Sequence, residues 1–143
     1  MTAVTQPVQR DMATAFKRGI LGRCPNCGKG NLFRAYLKVA DTCNVCGEEL
    51  HHHQADDAPA YFVITIVGHI IVPLVFAVEM TFTPPYWLHA LIFAPLTIGL
   101  AVFLLQPTKG AIIAWQWAQR MHGFGGVSDD PSPGDHPLKV TER

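Results

Sequence analysis

Two apolar segments, residues 61–80 and 86–105, constrain the fold of this chain more than any other feature of its sequence. Each is 20 residues long and, as an α-helix, would span about 30 Å, which is the thickness of the hydrocarbon core of a bilayer. The first segment contains one charged residue, Glu79, and the second contains none. A core helix of a soluble protein usually keeps a polar stripe, and neither segment has one. The sequence therefore predicts two transmembrane helices.

A linker at residues 81–85 joins the two segments and is so short that they must form an antiparallel hairpin. Pro84 and Pro85 end the linker, and proline is favoured at the start of a helix because its missing N–H is not needed there. Seven of the eleven Lys and Arg residues precede the first segment, and four follow the second. The positive-inside rule then predicts that both termini are cytoplasmic and that the linker lies outside.

The overall composition fits a membrane protein and excludes two other classes. Only 15% of the 143 residues are charged, against about 25% in a typical soluble domain, and 49% are hydrophobic. The formal net charge is zero, so the chain has no overall positive field with which to bind nucleic acid. Its high apolar content excludes a wholly disordered chain. The predicted partners are the lipid bilayer and other membrane proteins rather than nucleic acid, and a homo-oligomer stays an open alternative.

All four cysteines belong to two Cys-x-x-Cys-Gly pairs separated by fifteen residues, and they are Cys24, Cys27, Cys43 and Cys46. This spacing is typical of a four-cysteine zinc ribbon, and it predicts a zinc-ribbon-like domain at residues 23–50 that binds Zn²⁺. Iron is the less favoured occupant. Disulfides are the rival interpretation, but the predicted cytoplasmic side is reducing. The segment is too small to fold by burial alone, so metal binding would supply its folding energy.

The segments next to the ribbon carry weaker signals. Residues 1–22 are predicted to be a tail and an amphipathic helix, which lies on the inner leaflet or packs on the ribbon. Its apolar residues recur at every fourth position, at Val8, Met12, Phe16 and Ile20. Between the cysteine pairs, residues 32–39 predict a short strand pair or an extended segment. The apolar residues expected to cover the metal are Leu32, Phe33 and Leu37.

The sequence after the second span predicts an interfacial helix and a disordered tail. Pro107 and Gly110 are expected to break the helix, so residues 109–122 would lie along the inner membrane interface. Residues 123–143 are rich in Gly, Pro and Asp and are predicted to be disordered. The predicted fold class is mainly α and membrane-embedded. It is a two-helix transmembrane hairpin with a small N-terminal zinc-ribbon-like domain and flanking interfacial amphipathic helices.

The linker at residues 51–60 concentrates imidazole and carboxylate groups. Such groups bind zinc or copper, so the linker contains a candidate second metal or partner site. Its members are His51, His52, His53, Asp56 and Asp57. The alternative is structural, because Asp57 is well placed to cap the first transmembrane helix, with Pro59 in the first turn.

Three ionisable residues, His69, Glu79 and His89, lie within the predicted spans. Such groups are costly at membrane depth and therefore suggest function. Glu79 and His89 are expected to pair near the outer face, while His69 lies near the middle. Pro73 and Pro95 are at similar depth, and two facing kinks there would open a polar pocket or let a helix of another protein dock. The alternative is that Glu79 and His89 reach the interface and His69 bonds a local carbonyl. No catalytic motif is recognised, and no catalytic residue is predicted.

Several motifs occur in an order that resembles a known family. They are Arg18-Gly19, residues 23–33 around the first cysteine pair, residues 43–47 around the second, residues 56–62, Gly68-His69 and residues 107–110. Over roughly residues 16–120 the chain is similar to the small bacterial membrane proteins catalogued as domain of unknown function 983. The resemblance implies a ribbon plus two helices in the bacterial inner membrane, with no established activity. Some members resemble products encoded beside haem–copper oxidase genes, which implies a role near respiratory-complex assembly.

These observations predict a non-enzymatic membrane accessory or assembly factor with a cytoplasmic zinc ribbon, linked to biogenesis of a respiratory haem–copper oxidase. The alternative is a membrane component that handles metal ions or protons. It would use the His/Asp linker and the intramembrane His69 and Glu79, as an oligomer.

Overall fold

The chain is mainly helical, and the computed structural model describes residues 10–55 and 57–124. The elements follow the order α1 (Met12–Ile20), β1 (Phe33–Ala35), β2 (Lys38–Val39), α2 (Ala58–Phe82), α3 (Tyr86–Ala118) and a short 3-10 helix (Met121–Gly123). Helices α2 and α3 form a hairpin of two long apolar helices. Residues 21–55, which include all four cysteines and the two strands, form a small unit that we call the cysteine domain.

The exposure of α2 and α3 matches that of membrane spans. They contain 25 and 33 residues, and in the most apolar stretch of 18 residues in each helix only 11% and 6% of the residues are buried inside the protein. The core helices of a soluble protein would be mostly buried. The exposed residues include the large apolar side chains of Phe76, Ile98 and Phe103. Both helices are thus long and apolar enough to cross a bilayer, which indicates that the chain is inserted in a membrane.

Helix α2 extends the predicted span at both ends and differs from the prediction at its N-cap. Asp57 occupies the N-cap position, but its side chain makes no capping hydrogen bond with the described residues. The cause is the backbone of Asp57, whose φ of −98° and ψ of −19° are helical, whereas a capping side chain needs an extended backbone. The carbonyl oxygen of Asp57 instead accepts hydrogen bonds from the N–H groups of Ala60 (3.0 Å) and Tyr61 (3.3 Å). Pro59 lies in the first turn as predicted.

The predicted break, followed by a separate interfacial helix at residues 109–122, is not present, because helix α3 is continuous there. It continues through Pro107 and Gly110 to Ala118, over 33 residues or about 50 Å. A proline inside a helix costs about 3 kcal/mol. Burial after Pro107 offsets this cost, because this part of α3 packs on the cysteine domain and on α1. Its buried residues are Gly110, Ala111, Ile113, Ala114, Gln116 and Trp117.

Helix α1 packs against this same part of α3 through a contact between two glycines. Asp11 caps α1 by accepting a hydrogen bond from the N–H of Ala13 (3.2 Å). A β-carbon added to Gly19 would lie 2.5 Å from Cβ of Ala114 and closer still to the carbonyl oxygen of Gly110. The two backbones therefore touch directly, which only glycine permits. The apolar row predicted to contact the membrane or the ribbon stays half exposed at Met12, Phe16 and Ile20, and Val8 lies outside the described residues.

One hydrophobic core joins the cysteine domain, α1 and the end of α3. Its buried members include Cys24, Cys43, Leu32 and Leu50 from the cysteine domain, together with Ala15, Ile113 and Trp117. The predicted strand pair is present as the antiparallel hairpin β1–β2. The predicted disordered tail at residues 123–143 lies outside the described residues, apart from Gly123 and Phe124.

The buried side chain of Gln116 ties the linker before α2 to the end of α3. Its Oε1 accepts a hydrogen bond from the N–H of Gln54 (3.2 Å), and its Nε2 donates one to the carbonyl oxygen of Gln54 (3.1 Å). The side-chain amide of Gln116 thus forms two hydrogen bonds to one residue's backbone, as a neighbouring strand would. These bonds satisfy the polar atoms of a buried side chain.

The glycine contact generates a stability prediction. Gly110→Ala places a methyl group against the backbone of Gly19, and we expect it to destabilise the protein by about 1–3 kcal/mol through overpacking. Gly99→Ala is the matched control, since a β-carbon there meets no described atom within 4 Å and alanine favours the helix by up to about 1 kcal/mol. Thermal unfolding in detergent, followed by tryptophan fluorescence, measures the difference. Equal melting temperatures of the two variants would contradict the contact.

Candidate metal centre

The four cysteine side chains meet in one cluster. Sγ of Cys24 lies 3.7 Å from Sγ of Cys46, and Sγ of Cys27 lies 3.8 Å from Sγ of Cys43. All four sulfurs lie within 4.8 Å of one another, and all four cysteines are free thiols. A tetrahedral ion with metal–sulfur bonds of about 2.3 Å places its sulfur ligands about 3.8 Å apart. The four cysteines are therefore placed to bind a metal ion, and their geometry fits a tetrahedral thiolate site.

Each cysteine pair is presented by a tight turn that ends in glycine. The N–H of Gly28 donates to the carbonyl oxygen of Cys24 (2.8 Å), and the N–H of Gly47 donates to that of Cys43 (3.0 Å). Both glycines have a left-handed backbone, with φ of 70° and 73°. This conformation is strained for other residues, so the glycine after each pair is required by the turn.

The first turn also directs backbone N–H groups at a sulfur. The N–H groups of Gly30 and Lys29 each lie 3.4 Å from Sγ of Cys27, and these hydrogen bonds lower the pKa of Cys27 to about 6. Burial raises the pKa of Cys24, and partial desolvation together with the neighbouring thiols of Cys43 and Cys27 raises the pKa of the more exposed Cys46. Cys27 is thus already a thiolate at neutral pH. Cys24 and Cys46 favour ionisation only when a bound cation balances their negative charge.

Glu48, which directly follows the second turn, connects the cysteine cluster to α3 and to Arg10, which precedes α1. Its Oε1 accepts a hydrogen bond from Nε1 of Trp117 (2.8 Å) and lies 3.6 Å from Nη2 of Arg10. Its Oε2 accepts a hydrogen bond from Nδ2 of Asn26, in the first turn (3.1 Å). Arg10 also donates to the carbonyl oxygen of Trp117 (2.6 Å) and lies 4.2 Å from the centre of its ring. One carboxylate therefore holds both cysteine turns against the end of α3.

The β1–β2 hairpin is fastened to α3 at two further points. Nζ of Lys109 donates a hydrogen bond to the carbonyl oxygen of Leu37 (2.9 Å), and the hydroxyl of Tyr36 donates to that of Val102. Of the residues predicted to cover the metal, Leu32 is fully buried in the core beside the cysteines. Phe33 is half-buried and packs against that core.

The His/Asp linker divides into separate environments. The ring nitrogens of His51 and His52 that could bind a metal lie close to a carboxylate oxygen of Glu49. Glu49 was not among the residues predicted for this site. His53 is turned away, with its Nδ1 2.9 Å from the carbonyl oxygen of Leu50. Asp57 is the N-cap residue of α2, and Asp56 lies outside the described residues.

The structure brings two of the three intramembrane ionisable residues together. Nε2 of His89 lies 3.5 Å from Oε2 of Glu79, at the end of the hairpin next to the turn. Nδ1 of His69 lies 2.7 Å from the carbonyl oxygen of Thr65, which matches the local alternative. An open groove of about 420 Å³ contains His69 and Pro73, and all the residues that line it belong to α2. It is therefore not the pocket between two facing kinks at Pro73 and Pro95 that the sequence predicted.

Sequence reasoning missed Arg10, Glu48, Glu49 and Trp117 as site residues. Only Glu48 and Glu49 had a local signal, since they directly follow the second Cys-x-x-Cys-Gly turn. The roles of Arg10 and Trp117 depend on contacts between residues far apart in the chain, and Arg10 donates across 107 positions.

The low pKa of Cys27 predicts the order in which the metal-free protein is alkylated. We expect iodoacetamide to modify Cys27 first at pH 7, and the rate at this residue to fall as the pH drops below about 6 and the thiolate is protonated. Cys46 is the control, because it is more exposed but its pKa is raised. Peptide mass spectrometry at short reaction times gives the rates. Faster reaction at Cys46 would show that exposure governs the order instead.

The comparisons with known proteins agree with this architecture. The family described as "Protein of unknown function (DUF983)" matches residues 33–117, which include the second cysteine pair and both apolar helices but begin after the first pair. No curated protein and no solved structure matches the chain. The match covers more than half of the 143 residues and contains α2 and all of α3 except its last residue. The chain therefore belongs to the DUF983 family, whose function is unknown.

Proposed function

We propose that this protein is a non-enzymatic accessory or assembly factor of the bacterial inner membrane, with a zinc ribbon on the cytoplasmic side that contacts other membrane proteins. The observation that carries the proposal is the junction between the cysteine domain and α3. Glu48, Lys109 and Tyr36 each contribute a hydrogen bond across it, and Ile113 and Trp117 belong to the core of the domain. A metal-bearing domain fixed rigidly to a hairpin is suited to presenting one defined surface to a partner.

Zinc is the proposed occupant of the four-cysteine centre. Four thiolates in a tetrahedron form a closed structural site for Zn²⁺, with no open position for a substrate. Iron is the alternative, because it also accepts four thiolates. The zinc would stabilise the surface that the cysteine domain offers, rather than take part in a reaction.

An open apolar groove lies where this surface meets the hairpin. It has a volume of about 770 Å³, and its lining includes Ile20, Leu21, Tyr36, Val102, Phe103 and Pro107. Leu21 and Phe103 are more than 70% exposed. A helix of another membrane protein can pack here against α3 and the cysteine domain at once, which supports contact with a membrane partner.

The proposed partner is a haem–copper oxidase or one of its assembly factors. The support is the family resemblance, since some members of the family resemble products encoded beside haem–copper oxidase genes, which is an association only. The proposed orientation, with both termini in the cytoplasm, is supported by the basic residues. All eleven lie before the first span or after the second.

The contact between Glu79 and His89 favours a second candidate function, in which an oligomer of this chain handles protons or metal ions. A carboxylate and an imidazole 3.5 Å apart are within ion-pair distance, and they bring two ionisable groups together in a site remote from the cysteine domain. The linker histidines would then supply a second polar site at the other end of the hairpin.

Metal analysis tests the zinc ribbon. We expect one zinc per chain after purification and extensive dialysis, and its loss in Cys24→Ser because the closed site loses a ligand. Mass spectrometry of the bound metal distinguishes zinc from iron. Circular dichroism is the folding control, since the apolar parts of the two long helices that lie away from the cysteine domain should persist without the metal. Absence of metal from every preparation would contradict the ribbon.

Photo-crosslinking in native membranes tests the partner. A photoreactive phenylalanine analogue at Phe103, in the groove, should capture oxidase subunits or their assembly factors. The same analogue at Phe76, an exposed position of α2, is the matched control and should not. Recovery of this chain alone, crosslinked to copies of itself, would reject the assembly role and favour the second candidate.

A further inference from the structure

A second group of metal-ligating side chains lies on the segment that leaves the second cysteine turn. It consists of Glu49, His51 and His52, whose donor atoms all lie within 4.8 Å of one another. Cys46, the last ligand of the cysteine centre, is three residues before Glu49, and the helix α2 begins seven residues after His51. The two groups of ligands therefore belong to separate clusters in neighbouring parts of the cysteine domain.

The spacing of the donor atoms matches shared coordination. Oε2 of Glu49 lies 3.0 Å from Nε2 of His52. Ligand bonds of about 2.0 Å in a tetrahedral zinc site place two such donors about 3.3 Å apart. The rings of His51 and His52 have centroids 4.0 Å apart, and the ligand atoms of all three residues lie within 4.8 Å of one another. A water molecule would occupy the remaining position.

The backbone that carries these ligands is fixed on both sides. Glu49 pairs with Thr42 in a β-bridge, and the N–H of Leu50 donates to the carbonyl oxygen of Asp41 (2.8 Å). Leu50 itself is fully buried in the core. The backbone is thus held in place at Glu49 and at the residue before His51, which reduces the entropy lost when an ion binds.

The ring of His52 is also held in place by residues from the end of the described chain. It contacts Phe124 edge to face, with centroids 5.9 Å apart. A β-carbon on Gly123 would lie 3.0 Å from its Nδ1, so the close approach of this backbone needs glycine. With Nδ1 facing Gly123, the other ring nitrogen, Nε2, is directed at Glu49.

We propose that Glu49, His51 and His52 form a second metal site, which binds an exchangeable divalent transition-metal ion such as Zn²⁺. Two imidazoles and one carboxylate suit Zn²⁺, Cu²⁺ and Ni²⁺, whereas Mg²⁺ and Ca²⁺ prefer ligands that are all oxygen. Glu49 and His51 are exposed, so the ion enters and leaves from solvent. With three protein ligands the ion keeps an open position, unlike an ion bound by the four cysteines.

Zinc titration of the full-length protein in detergent tests this site. The cysteine centre is first loaded with Zn²⁺ and excess metal is removed, and further Zn²⁺ is then added while binding is followed by calorimetry. We expect one additional equivalent to bind to the wild-type protein. His52→Ala should weaken this binding by more than about 100-fold, because it removes a ligand of the ion. Loss of a residue that only hydrogen-bonds to a ligand typically weakens metal binding by about 10-fold to 100-fold.

His53→Asn is the matched control, because His53 points at Leu50 and an asparagine still offers a donor to that carbonyl. It should bind the additional zinc as the wild type does. Zinc retained by the cysteines reports that each variant is folded. If His52→Ala releases that zinc as well, Glu49→Gln provides the test, since it keeps the shape and removes only the charged ligand. Failure of the wild type to bind additional zinc, or equal weakening in the His53 control, would overturn the site while leaving the cysteine centre and the assembly role untouched.

Discussion

The structure depends on the packing of the cysteine domain against the last three turns of α3. Ile113 and Trp117 complete a core that also contains Cys24, Cys43 and Leu50. A domain of this size has too little apolar surface for a core of its own, and metal binding usually supplies the missing stability. Here part of that surface comes from a helix that also belongs to the membrane hairpin. The cysteine domain and the end of α3 are therefore one folding unit, and neither of them is structurally independent of the other.

This packing also explains the unusual length of α3. At about 50 Å it exceeds the thickness of a hydrocarbon core by about 20 Å. Its buried residues after Pro107 lie against the cysteine domain and α1, so the additional turns are covered by protein rather than by lipid. Gly110 shows the two opposing effects of glycine in a helix. It weakens the helix intrinsically, yet it allows the backbone of Gly19 to approach, and the gain from this contact decides the structure.

Features that depend on neighbouring residues could be predicted from the sequence, and features that depend on distant residues could not. The hairpin follows from two apolar segments and a five-residue linker, and the clustering of the cysteines follows from their spacing. The end of the second helix could not be predicted, because Pro107 and Gly110 disfavour a helix locally and only the cysteine domain stabilises it. The position of Glu48 between Arg10 and Trp117 was hidden for the same reason. At Asp57 a local signal was misleading. Aspartate is favoured as a capping residue, but the helical backbone of Asp57 prevents its side chain from capping α2.

The hydrogen bonds between Gln116 and Gln54 have a consequence for how the hairpin can move. They join the chain before α2 to the end of α3, while the turn at residues 83–85 joins the other ends of the two helices. A hairpin connected at both ends cannot change its register by sliding one helix along the other, because such a shift would break one of the two connections. The motions left to it are tilting and twisting of the pair as a whole. A signal between the cysteine domain and the other end of the hairpin would therefore be carried by tilting or twisting of the helix pair, and not by sliding of one helix along the other.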